Sequence, residues 1–66
     1  MAIVKIIELI GTSSISWEDA AKQAVKKAGE SVKNITGIDV IGQKAKVEKG
    51  EITEYRVNTK VAFTVE

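Results

Sequence analysis

The side chains that most often do chemistry are missing from this chain. It has no His and no Cys, which removes the commonest acid–base group, thiol nucleophiles and the usual zinc ligands. Hydroxyls, carboxylates and amines remain. Ser13, Ser14 and Ser16 cluster in GTSSIS with no base near them, and they read as turn and capping residues. The carboxylate pairs Glu18–Asp19 and Glu51–Glu54 read as a helix start and a hairpin. GQKAKVEKG lacks the Gly-x-x-x-x-Gly-Lys-Ser/Thr order of a phosphate loop and lies in a strand pattern. Trp17 falls on an apolar helical stripe and reads as packing. Lys22, Lys26, Lys27 and Lys33 read as a solvated helix face. One set is less bland: Glu54, Arg56, Asn58 and Lys60 alternate along one strand as a polar face. Such a face beside an oligomer contact can line a pocket between subunits. No enzyme is expected.

Those residues need elements to hold them. Ala2–Ile10 is rich in β-branched residues, and both of its alternating faces are mostly apolar. A half-buried strand alternates cleanly, so this pattern predicts a strand covered on both sides. One helix covers one face, and another subunit is the candidate for the second. Ser16 is a good N-cap, with Glu18 and Asp19 in the first turn and SWED approximating a capping box. Trp17, Ala21, Ala24, Ala28, Val32 and Ile35 then form one helical stripe, widened by Ala20 and Val25. Asn34 or Gly37 is the expected stop. From Ile38 the period becomes two. Ile38–Lys49 and Thr53–Val65 read as strands joined by the turn EKGE, with Gly50 at its tip. The fold class is therefore α+β. The order β-α-β-β makes a three-stranded antiparallel sheet with one helix packed on it, in one domain over residues 1–66.

Size and composition agree with self-association. Domains below about 70–80 residues are usually stapled by disulfides, a metal or oligomerisation. With no Cys and no His, oligomerisation is the option left, and 44% of the residues are hydrophobic. Ten basic and nine acidic residues leave a net charge of +1. That is no electrostatic case for nucleic acid. The apolar N-terminal stretch is too short to span a bilayer and lacks a basic n-region, so a soluble, cytoplasmic protein is expected with no membrane partner.

The wording of the chain is also familiar. VKIIELIGTSSISWEDAAKQAVKKAGESVKNI, followed by VIGQKAKVEKGEITEYRVNTKVAF, resembles the dodecin family over nearly the whole length. IELIGTS, SWEDAA and EYRVNTKVAF are the most specific parts. The resemblance implies a β-α-β-β protomer whose sheet curves around the helix. It also implies a homododecamer forming a hollow sphere, and a storage or scavenging role rather than catalysis. Its family ligand is flavin, riboflavin or FMN, held between subunits. There a Trp just after the helix stacks on the isoalloxazine ring, and a Gln in the last strand hydrogen-bonds the ring edge.

Both signature residues are replaced here. The Trp position falls on Gly37 in GIDV, and the Gln position falls on Arg56 in EYRV. Asp39 stands where an acidic residue is common. Lys44 stands where many bacterial members carry an Arg that can meet a flavin phosphate. The expected ligand positions are therefore Gly37, Asp39, Lys44 and Arg56, with flavin affinity weakened. The alternative is a flavin-independent cage holding a cation such as calcium, as in relatives that lack the aromatic residue. Hard cations want several oxygen ligands, and Glu8, Asp39 and Glu54 are the candidates.

Overall fold

The computed structural model describes residues 3–65. It contains β1 (Ile3–Ser13), α1 (Trp17–Ser31), β2 (Ile35–Glu48) and β3 (Glu51–Val65). The strands form one antiparallel sheet in the order β1-β3-β2, and the helix packs on one face. The expected start of the first strand at Ala2 lies outside the described residues.

Several boundaries differ from the expectation, each for a physical reason. The first strand does not end at Ile10. Gly11, Thr12 and Ser13 continue it, paired with Val57, Arg56 and Tyr55. Gly11 is not a break but the point of closest approach to the helix. A Cβ there would overlap the Ala20 carbonyl oxygen and stand 3.0 Å from the Ala24 Cβ. The helix starts as expected, with the Asp19 N–H donating to the Ser16 side chain at 3.0 Å. Asp19 does not close the capping box, because its carboxylate instead accepts from the Ser13 hydroxyl at 2.6 Å.

The helix stops at Ser31, earlier than expected, and Val32 caps it in an extended conformation. Val32 and Ile35 therefore leave the helical stripe. Asn34, at φ 63°, makes the turn, and its carbonyl accepts from the Thr64 N–H at 3.0 Å. Asn is one of the few non-glycine residues that tolerates this left-handed geometry. Gly37 is not the stop: it lies inside β2, beside a register shift between Ile35 and Gly37. The hairpin turn is Lys49–Gly50, both at positive φ, as a two-residue type I′ turn requires. This is the expected EKGE turn with Gly50 at its tip; the strands run closer to it than expected, β2 ending at Glu48 and β3 starting at Glu51.

The core is thin. Ala20, Ala24 and Ala28 of the helix meet Val57, Thr59 and Val61 of the central strand, all buried. The Thr59 hydroxyl satisfies itself by donating to the Leu9 carbonyl at 3.0 Å. On the opposite sheet face Val4, Ile6 and Ile10 remain 58–62% exposed. The strand that reads as apolar on both sides is thus covered on one side only within a single copy. The chain is also extended, measuring 52 × 19 × 13 Å, with a radius of gyration of 13.4 Å. A compact domain of this length would have about 11 Å.

Candidate ligand-binding face

The register of the central strand decides which side chains share a face. Val57, Thr59 and Val61 point at the helix, so Glu54, Arg56, Asn58 and Lys60 point away from it. Their partners on β2 line up in rows. Gly37 pairs with Ala62, Asp39 with Lys60, Gly42 with Asn58, Lys44 with Arg56 and Lys46 with Glu54. All four expected ligand positions therefore lie on the sheet face opposite the helix. They do not form one cluster. The Gly37 row and the Lys44 row are six β3 positions apart, which is about 20 Å along a strand. Gly37 and Asp39 mark one end of the face; Lys44 and Arg56 mark the other.

The Gly37 end is open. Gly37 does not have positive φ, and a Cβ added there meets nothing within 4 Å. The backbone therefore accepts a side chain at this position. Lys60, between Glu8 on β1 and Asp39 on β2, completes a row with two carboxylates around one ammonium. The two carboxylate-bearing strands are two inter-strand spacings apart, about 10 Å.

The Arg56 end is organised by two contacts. The Arg56 Nε–H donates to Glu54 Oε1 at 2.6 Å. Arg56 and Lys44 stand directly opposite each other, and with Ala45 and Lys46 they line a depression of about 330 Å³. Two like charges in one cross-strand pair repel, and Glu54 offsets one of them. On the helix side the Trp17 indole N–H donates to the Lys44 carbonyl at 2.9 Å. Its ring meets Tyr55 edge-on, with centroids 4.9 Å apart. Trp17, read from sequence as packing, also pins β2 at Lys44. The apolar stripe placed the indole correctly, but its N–H partner is 27 residues away and left no signal in the local pattern.

The cation candidates separate. Glu54 is engaged by Arg56, while Glu8 and Asp39 share the Lys60 row. Among the described residues no group of three or more His, Cys, Asp or Glu comes together to hold a metal ion. No helix among the described residues is long and apolar enough to cross a membrane.

Comparison with known proteins agrees with this architecture. The family model described as Dodecin matches residues 3–66. The calcium dodecin of Mycobacterium tuberculosis is 41% identical over 63 residues, covering 96% of this chain and 89% of that protein. The crystal structure of that organism's calcium-chelating antigen, calcium dodecin, described as having a novel calcium-binding site, superposes with a TM-score of 0.84 at 42% identity. It covers 97% of this chain and 91% of that one. A variant of Thermus thermophilus dodecin superposes with a TM-score of 0.95 at 26% identity, over 100% and 98% of the two chains. With its β-α-β-β order, its register and these matches, the chain belongs to the dodecin family.

Proposed function

We propose that this dodecin is a non-enzymatic binding and storage protein that works as a homododecameric shell. In this reading calcium is its favoured ligand, and riboflavin or FMN binds weakly. The observation that carries the reading is Gly37. The position that would present an aromatic ring to a flavin is an open strand position with no side chain. A stacked ring without its partner forfeits the buried area and roughly 0.5–1.5 kcal/mol of ring–ring preference. The 41% identity to a calcium dodecin supports the cation.

Calcium takes six to eight oxygens, and one copy brings together no group of three carboxylates among the described residues. The ligands must then come from several copies meeting at a symmetry axis. Glu8 and Asp39 are the better donors, since Glu54 is already paired with Arg56. Flavin stays as the second reading because Asp39, Lys44 and Arg56 keep a polar rim on the same face. A ligand touching both the Gly37 and the Arg56 end must bridge two copies, since one copy holds them about 20 Å apart.

The test is calorimetric titration of calcium into the assembled protein, with Asp39→Asn and Glu8→Gln as variants. Saturable binding weakened at least tenfold by one of them is expected. Absence of binding to the unaltered protein would contradict the cation reading.

A further inference from the structure

Beyond Tyr55 the sheet narrows to two strands. β1 ends at Ser13, opposite Tyr55, while β2 and β3 run on as a hairpin to the Lys49–Gly50 turn. Residues 43–53 are exposed without a break. Near the end of this arm Val47 and Ile52 face each other across the hairpin, 59% and 46% exposed. A two-stranded hairpin is marginal in water unless something packs on it, yet this one is braced. The Thr53 hydroxyl donates to the Lys46 carbonyl at 3.3 Å. At the root the Trp17 N–H holds the Lys44 carbonyl, and the Trp17 ring meets Tyr55. A braced arm loses little freedom on docking.

A second bare apolar surface lies far from the tip. The helix packs on β1 and β3 and hardly reaches β2. A groove of about 310 Å³ remains between α1 and β2, lined by the apolar Ala21, Val25 and Ile38 and by Glu18 and Lys22. The Ile38 row and the Ile52 row are nine β3 positions apart, about 30 Å along a strand. A copy therefore cannot seat its own arm in its own groove.

We infer that the Val47–Ile52 tip of one copy docks into the α1–β2 groove of the next copy. Apolar surface meets apolar surface, and the charges beside it are balanced on both sides. Glu18 pairs with Lys22 at 3.4 Å along the groove, and Lys46 pairs with Glu48 at 3.9 Å along the arm. Neither pair brings a net charge that the other must bury. The area also suits a second copy. The 4932 Å² of surface exceeds that of a compact monomer by roughly 800 Å², which is about what each partner gives to a standard interface. Because the two surfaces differ, the contact is head-to-tail, and within a closed shell head-to-tail contacts must close into rings. The inference rests on the reading that the protein is a shell, and it names the surfaces that build one of its contacts.

The chain has no Cys, so introduced cysteines report without background. Val25→Cys and Ile52→Cys are combined in one chain, and the assembled protein is oxidised and run on a denaturing, non-reducing gel. A disulfide needs Cα atoms about 4.4–6.8 Å apart, so only touching surfaces are joined. Covalent multimers beyond the dimer, reversed by reductant, are expected, while each single variant stays monomeric on the gel. Single variants that dimerise, or a double variant of full assembled mass without covalent multimers, would overturn the arm-to-groove contact and leave the shell standing. A monomeric mass for the unaltered protein by light scattering would overturn both. Ile52→Asp decides the matter independently of any cross-link. A charge at the docked tip is buried without a partner, so the assembled mass should fall, and full mass would overturn the contact.

Discussion

Gly37 lies inside β2, and a Cβ added there meets nothing within 4 Å. Backbone chemistry reads a glycine after an amphipathic stretch as a helix stop. In the structure the stop is Val32, the left-handed residue is Asn34, and Gly37 is already in a strand with open space above it. Nothing local demands glycine there. The substitution Gly37→Trp should therefore leave the thermal midpoint within a few degrees of the unaltered protein, and it should raise riboflavin affinity by tenfold or more through restored stacking. A collapse of stability would show that the position is crowded in the assembly. The family resemblance put forward four candidate ligand positions, Gly37, Asp39, Lys44 and Arg56. It did not reveal that Glu54 grips Arg56, because an i, i+2 pair on a strand looks like any other alternation of charges. Trp17 was half legible: the stripe places its half-buried ring on the sheet-facing side, and only the fold brings the Lys44 carbonyl to its N–H.

At the scale of elements, type and order were legible throughout and ends were not. Period-two alternation from Thr53 onward, a cap at Ser16 and a glycine at the hairpin tip are local signals, and each element they mark is present. The errors sit where tertiary packing overrides local chemistry. GTS reads as a break because Gly and hydroxyl residues favour turns. It remains strand because pairing with β3 holds it, and because the helix needs a residue without a Cβ at Gly11. Gly11→Ala is accordingly a sharp probe of how closely α1 lies on the sheet. It should cost about 1–3 kcal/mol, the usual penalty for overpacking a tight contact, measured by chemical denaturation. An unchanged midpoint would mean that the helix rides higher than the structure places it.

On the scale of the molecule, the isolated copy is an incomplete object. Its core is three alanines against two valines and a threonine, and its outer sheet face exposes Val4, Ile6 and Ile10. Its surface of 4932 Å² exceeds the roughly 4,100 Å² expected of a compact monomer of 7.1 kDa. The two-sided apolar pattern of the first strand already carries this message in the sequence, whereas the number of copies and their symmetry are not a property of any one strand. Light scattering should return a mass about twelve times that of the chain, and a monomeric mass would remove the shell. The most direct measurement is a riboflavin titration of the assembled, unaltered protein followed by quenching of flavin fluorescence. Colourless protein as isolated and no quenching at nanomolar concentrations are expected, because no aromatic ring stands at position 37. Yellow protein with stoichiometric quenching in the nanomolar range would contradict it.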